Sequence, residues 1–329
     1  MATVATVRGP VEVDQLGTTL MHEHVFVLTT EIVENYGAGA WWDEEARVAD
    51  AVEKLRALRD RGVRTIVDPT VIGLGRYLPR IQRINAEVDI NIVPATGLYT
   101  YNDIPFFFHY RGPGTILDGP EIMAEMFIGD IRDGIAETGV RAAFLKCCVE
   151  AQGLTPGVER VCRAVALAHR ETGAPITVHT NAHEHTGRLA LGVFKEEGVD
   201  LGKVVVGHSG DTNDLDYLRE LMDAGALAGM DRFGLDLFNP TADRVATIAA
   251  LARDGYADRM VLSHDAACFM DYFPTPEARE ALHATVPNWN YTHIHDDVLP
   301  ALREQGVDGK QIEQMLVTNP QRYFAGGTH

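Results

Sequence analysis

Apolar residues recur along this chain in two alternating rhythms. Short runs rich in β-favouring residues occur at Thr18 to Val27, Arg64 to Asp68, Asn91 to Gly97 and Ala142 to Lys146. Four more follow at Ile176 to His179, Lys203 to His208, Ala226 to Met230 and Arg259 to Asp265. Between them, apolar positions fall at helical spacing: Val48, Ala51, Val52, Leu55 and Leu58 in 43–61, then Leu78, Ile81, Ile84 and Val88. The same spacing predicts helices around 120–138, from Pro156 with Val158, Val161, Cys162, Val165 and Ala168 on one side, near Leu215 to Met222 and at Val245 to Arg253. Only the first strand alternates cleanly with polar residues, as expected when the others are buried on both faces of a parallel sheet. Eight strand and helix pairs in this order predict an α/β fold, a single (β/α)₈ TIM barrel.

The irregular stretches refine that picture. Glu31 to Trp42 mixes aromatic residues and glycine, Asn239 before Pro240 marks a helix start, and Pro94 predicts a bulge or a late start in its strand. After Asp265 the pattern loosens, and Cys268 to Asn290 is expected to form a long lid loop over the barrel mouth. C-terminal helices follow at about Thr292 to Gln305 and Gly309 to Thr318. No linker, repeat or low-complexity tract interrupts the chain, so residues 1–329 are expected to form one domain.

Charge and cysteine content then exclude whole classes of function. The 29 Lys and Arg against 47 Asp and Glu leave a net charge of −18, which repels nucleic-acid phosphates and anionic membranes alike. No segment is basic and apolar enough for export or long enough to span a bilayer, so a cytoplasmic location is expected. The four cysteines, Cys147 and Cys148 adjacent among them, have neither metal spacing nor a disulfide framework.

The chemistry concentrates at the strand ends. His22 and His24 are two residues apart in an extended run, so both imidazoles aim to one side while Glu23 aims away, which makes half a metal site. Lys146, His179, His208 and Asp265 close the fourth, fifth, sixth and eighth strands, at the end where such barrels carry their active sites. An ammonium has no lone pair, so Lys146 can bind a metal only after modification. A lysine of lowered pKa that reacts with carbon dioxide becomes a carbamate, whose two oxygens can bridge two metals. His183 and His185 fall in the loop or first helical turn after the fifth strand, and His293 and His295 begin a helix where they share no face, so neither pair is read as ligands. His264, next to Asp265, should point off the metal face, and Met21 and Met230 read as barrel packing.

Two histidines on the first strand, a lysine on the fourth, histidines on the fifth and sixth and an aspartate on the eighth resemble the amidohydrolase superfamily. More narrowly, Gly17-Thr18-Thr19-Leu20-Met21-His22-Glu23-His24, Thr96-Gly97-Leu98-Tyr99, Gly207-His208-Ser209-Gly210-Asp211, Gly229-Met230-Asp231-Arg232-Phe233-Gly234 and Ser263-His264-Asp265 resemble the phosphotriesterase-like lactonases over nearly the whole chain. The resemblance implies an alpha metal on His22, His24 and Asp265, a beta metal on His179 and His208, and carbamylated Lys146 bridging them. It places Tyr99 by the substrate carbonyl and Arg232 in a loop that shapes the pocket. The implied pocket also takes Tyr101 and the lid residues Cys268, Phe269, Met270, Tyr272 and Phe273. Where the family often has Asp-Trp in the loop after the eighth strand, this chain has Asp271-Tyr272-Phe273, which removes a guide to acyl-chain preference.

The function so implied is the opening of lactone rings, N-acyl-homoserine lactones or γ- and δ-lactones, with phosphotriester hydrolysis as a side activity. Two divalent ions, zinc first, with cobalt, manganese or iron as alternatives, would share a water acidified toward a pKa of ~7. Asp265 is expected to move the proton, with Tyr99 and Arg232 assisting. A quorum-quenching role and a homodimer are implied by the resemblance alone. The competing readings are another amidohydrolase-superfamily amidase or esterase, and a barrel that binds lactones without turnover. A mononuclear deaminase is disfavoured by Lys146, and the complete ligand set disfavours the mere binder.

Overall fold

The computed structural model describes residues 2–36 and 43–326. Eight parallel strands lie side by side in sequence order: Thr18–Leu20, Val63–Asp68, Asn91–Gly97, Phe144–Val149, Ile176–Thr180, Val204–Gly207, Leu227–Met230 and Met260–Leu262. Helices alternate with them on the outside, which makes the fold a TIM barrel. The first and eighth strands meet where the Met21 N–H donates to the Leu262 carbonyl at 3.3 Å.

The seam continues above the rim. His24–Val27 pairs in parallel with Ala267–Met270, so the run expected as one strand from Thr18 to Val27 is two short ones, broken at Met21 to Glu23. The break is tolerated because its N–H groups find partners elsewhere. His22 donates to Ser263 Oγ at 2.8 Å and Glu23 to the Val67 carbonyl at 3.0 Å.

The opposite end of the barrel is plugged. Val4 and Val13, from an N-terminal hairpin and the turn after it, and Tyr323 and Phe324, from the helix Asn319–Phe324, pack with Val67, Val93, Phe144, Val205 and Val261 inside the strands. Each such apolar side chain contributes roughly 1.5–3 kcal/mol when fully buried. The Tyr323 hydroxyl lies 2.9 Å from Thr177 Oγ1, so the phenol is satisfied within the plug. Only the other end can open to substrate.

The outer helices follow their sequence signals. Asp43 caps Glu44–Asp60 by accepting from the Ala46 N–H, and the buried stripe is Val48, Ala51, Val52, Leu55 and Leu58. Thr155 caps Pro156–Thr172, and Gly173, at φ 71°, ends it in the left-handed conformation. A helix at Thr30–Tyr36 occupies part of the aromatic and glycine-rich stretch, whose remainder, 37–42, lies outside the described residues.

Three local expectations are corrected. Pro94 sits inside the third strand without a register shift, paired with Asp68, and its carbonyl accepts from Ala143 before the fourth strand begins. A helix does start directly after Asn239-Pro240, as Thr241–Arg253, but Asn239 does not cap it: Asp236 accepts from the Thr241 N–H, and the Asn239 side chain donates to Gly210 O and Asn213 Oδ1. The segment after the eighth strand is more than a lid loop, because it contains the strand Ala267–Met270 and the helix Pro276–Thr285. Among the described residues, no helix is long and apolar enough to cross a membrane.

Candidate metal centre

The six side chains singled out by residue type come together at the open end of the barrel. Asp265 Oδ1 is 3.3 Å from His22 Nε2 and 3.4 Å from His24 Nε2. Lys146 Nζ lies 3.3 Å from the same His22 nitrogen. Across the cavity His208 Nε2 and His179 Nδ1 face each other at 2.8 Å. Five donor atoms and a buried amine therefore point into one space, with spacings a cation can draw together.

Backbone strain helps to present them. His208 and Asp265 are non-glycine residues with positive φ, 64° and 55°, just beyond the ends of their strands. Such conformations are costly and cluster at functional sites. Lys146 departs from its expected position at a strand end, since its strand runs on to Val149. Gly97 packs against it so closely that a Cβ there would collide with the Lys146 carbonyl.

For His22, His24 and His208 the inward nitrogen is set by a partner on the far side of the ring. The Asp231 carboxylate accepts from Nδ1 of His22 at 3.0 Å and from Nδ1 of His208 at 2.9 Å. Thr70 Oγ1, whose hydrogen goes to Asp68 Oδ1, faces His24 Nδ1 at 2.7 Å. These contacts put the ring protons on Nδ1 and leave the Nε2 lone pairs facing the cavity. His22, His208 and Asp231 also group closely enough to hold an ion, as do His22, His24 and Asp265. The Asp231 oxygens, however, bond the outward faces of both rings, which assigns Asp231 to orienting them.

The electrostatics suit neutral ligands. Burial pushes the His179 imidazole down to about 4 and lowers those of His22 and His208. Burial also lowers the Lys146 ammonium, against Asp265 and Asp231, which raise it. Burial keeps the Tyr99 phenol protonated well above its usual range. Glu150 is held down at about 2, first by His179 and then by Asn181.

The pocket differs in part from the expected one. A cavity of about 540 Å³ opens above the cluster, lined by Tyr99, Tyr101, Arg232, Met270, Tyr272 and Phe273, with Val27, Leu74, Leu235, Phe238 and Trp289 among its walls. Cys268 and Phe269 do not line it. Phe269 turns into the core against Phe26, with ring centroids 5.9 Å apart, and Cys268 Sγ meets the Tyr291 hydroxyl at 3.4 Å. Once Ala267–Met270 becomes a paired strand, these two side chains are committed to packing.

The other histidines lie elsewhere. His185 stacks on Tyr217 with centroids 4.3 Å apart, His183 is exposed, and His293 Nδ1 contacts Asp297 Oδ2 at 2.8 Å. His264 is buried off the metal face, its Nδ1 bonded to Glu23 Oε1 at 2.6 Å. Met21 and Met230 are both buried in the hydrophobic core. Sequence reasoning missed Glu23, Asp68, Thr70, Glu150, Asp211 and Asp231. Glu150 and Asp231 each follow a barrel strand directly, so the rule that found Asp265 was also available for them.

A TIM barrel that gathers His and Asp side chains able to hold a metal ion at its open end sets the class, and the comparisons narrow it. The Phosphotriesterase family model matches residues 2–324. A phosphotriesterase homology protein of Mycobacterium tuberculosis is 56% identical over 324 residues, covering 98% of each chain. An aryldialkylphosphatase of Saccharolobus solfataricus is 39% identical, over 97% of this chain and 98% of that one. The solved structure of the phosphotriesterase from Mycobacterium tuberculosis superposes with a TM-score of 0.95 at 57% identity, covering 98% of both chains. The chain belongs to the phosphotriesterase family.

Proposed function

We propose that this protein is a binuclear-metal lactonase that also hydrolyses phosphotriesters more slowly. The observation that carries the reading is one cavity whose floor holds His22, His24, Lys146, His179, His208 and Asp265 and whose walls are largely apolar. Two divalent ions, zinc first among them, would supply Lewis acidity and a water acidified toward neutral pH, held by His22, His24 and Asp265, by His179 and His208, and by carbamylated Lys146 between. The donor set fits, because burial favours the neutral imidazoles of His22, His179 and His208, and the nitrogens that Asp231 orients on His22 and His208 converge with the rest.

The residues divide the remaining work. The Lys146 amine, its proton affinity lowered by burial, adds to the carbon of CO₂ and releases one proton, leaving a carbamate with two oxygens. Tyr99 stays protonated and, with a lactone bound, would turn its hydroxyl from Tyr101 to hydrogen-bond the carbonyl oxygen as charge develops there. Asp265 accepts the proton of the attacking water and returns it to the alkoxide that leaves when the ring opens. Arg232, bonded to Asp265 Oδ2 at 3.0 Å, holds that carboxylate in place. Leu235, Phe238, Met270 and Trp289 would take an acyl chain, or the alkoxy groups of a neutral phosphotriester.

The test is metal analysis joined to a substrate screen. Protein reconstituted with zinc, cobalt, manganese or iron is expected to hold two ions per chain and to turn over γ- or δ-lactones or acyl-homoserine lactones faster than a phosphotriester. Faster turnover of a cyclic amide would replace the reading with an amidase, and tight lactone binding without turnover would make the barrel a binder. A homodimer belongs to the same proposal, supported by the exposed Phe106, Phe107, Ile116 and Leu117 after the third strand. Light scattering that gives a monomer mass would remove it.

A further inference from the structure

Of the four imidazoles at the site, three have an outward partner and one does not. His22 and His208 donate to Asp231, and His24 faces Thr70. Among the described residues, the outward nitrogen of His179, Nε2, is buried without a hydrogen-bond partner. The group it faces is Glu150, whose Oε1 is 3.9 Å away, about 1 Å longer than an ordinary N–H···O contact.

The placement of Glu150 follows from strand register. Cys148 pairs with His179 and Val149 with Thr180, so Glu150 leaves the fourth strand level with Asn181 leaving the fifth. Asn181 Nδ2 donates to both carboxylate oxygens, at 3.3 and 3.0 Å. Asn181 is itself tied down, its N–H donating to Thr186 Oγ1 at 2.8 Å while that hydroxyl donates to the Val149 carbonyl at 2.6 Å. The carboxylate is thus held on the side of His179 that no other group among the described residues serves.

The need for an acceptor there arises from His208. Asp231 keeps the His208 proton on Nδ1, so His208 Nε2 presents a lone pair to His179 Nδ1 at 2.8 Å. That lone pair draws the single proton of neutral His179 onto Nδ1, the nitrogen that faces the cavity and is the one able to bind a cation. A proton on Nδ1 blocks ligation. An acceptor at Nε2 pulls the other way.

We propose that Glu150 is a positioning residue that accepts the Nε2 proton of His179 and so holds the ring in the tautomer whose Nδ1 lone pair faces the metal site. The proposal rests on reading the cluster as a metal centre, but the tautomer it assigns is a property of the protein alone. The proton changes nitrogens and none is gained or lost. Partners of this kind typically change metal affinity by about 10- to 100-fold.

The experiment compares the natural protein with Glu150→Ala and Glu150→Gln in two measurements. Nitrogen-15 NMR of the metal-free proteins reads the His179 tautomer: Nε2 protonated in the natural protein, shifted toward Nδ1 in Glu150→Ala. Chelator competition with zinc reads affinity, which should fall about 10- to 100-fold in Glu150→Ala at the more weakly held ion. Glu150→Gln, which keeps a carbonyl acceptor without the charge, should lie between. Thermal unfolding of the metal-free proteins separates a general structural role, which would lower every melting temperature. The same His179 tautomer in all three proteins, or unchanged zinc affinity in Glu150→Ala, overturns the assignment. Failure of the natural protein to bind zinc at all sinks the metal-centre reading instead, and the NMR comparison still decides for or against Glu150.

Discussion

Arg232 and Asp265 form an ion pair at the centre of the cavity, with Arg232 Nε donating to Asp265 Oδ2 at 3.0 Å while Oδ1 of the same carboxylate faces His22 and His24. Burial would raise the Asp265 carboxyl, but His22, His208, His24 and Arg232 outweigh it and hold it well below its usual range. Arg232 therefore adds to the charges that keep ionised the carboxylate proposed to move the proton. Arg232→Ala removes one cause of the depression, so the acid limb of the lactone pH–rate profile should move to higher pH as kcat falls. Asp211 stays paired with Arg244 at 2.7 Å, so the loop itself should survive. An unmoved acid limb would show that Arg232 does not govern Asp265.

Lys146→Ala should lose most of the bound metal and activity, and short carboxylic acids should restore part of both by standing in for the carbamate. Metal content and rate are measured in the same samples. Unchanged values in the variant would rule out the bridge.

Tyr99 donates to the Tyr101 hydroxyl at 2.9 Å and lies 3.4 Å from His179 Nδ1. Tyr99→Phe should lower lactone turnover more than phosphotriester turnover, because the hydroxyl is proposed to serve the planar carbonyl. Equal losses on both substrates would reduce Tyr99 to packing.

Glu23 holds the loop that presents Asp265. Its carboxylate accepts from Ser263 Oγ at 3.0 Å, His264 N at 2.9 Å, His264 Nδ1 at 2.6 Å and Ala266 N at 3.1 Å, all in the buried interior. Glu23→Ala strands four buried donors, so unfolding free energy should fall by about 3–5 kcal/mol, the range for breaking a buried pair. Denaturant titration of the metal-free proteins measures it, and a loss below about 1 kcal/mol, the worth of a single ordinary hydrogen bond, would contradict this role.

Acid should destabilise the metal-free protein in a defined window. Folded His179 stays neutral down to about 4, whereas the unfolded imidazole protonates near 6.5, so unfolding takes up protons between these values. The stability present above pH 6.5 is lost as pH falls toward 4, by an amount on the order of 3 kcal/mol for this group. The buried His22 and His208 act in the same direction. Melting temperatures across this range should fall steeply, and a flat profile would contradict the buried neutral imidazoles.

The barrel was legible because its signals are local. Alternating strand and helix periods report which side of each segment is buried, and Val48, Ala51, Val52, Leu55 and Leu58 are the buried stripe that their spacing predicts. Lys146 stood out for a similar reason, since a lysine led into by Ala142-Ala143-Phe144-Leu145 has no solvent to reach. Closure of the barrel decided the rest, because it joins segments some 240 residues apart. It breaks the first strand at Met21 to Glu23 and pairs His24–Val27 with Ala267–Met270, which turns Cys268 and Phe269 into the core. It also places Asp231 behind two imidazoles and Glu150 opposite a third. Periodicity records how deeply a side chain is buried, but which nitrogen of a buried ring meets an acceptor depends on neighbours that only the closed sheet brings within reach.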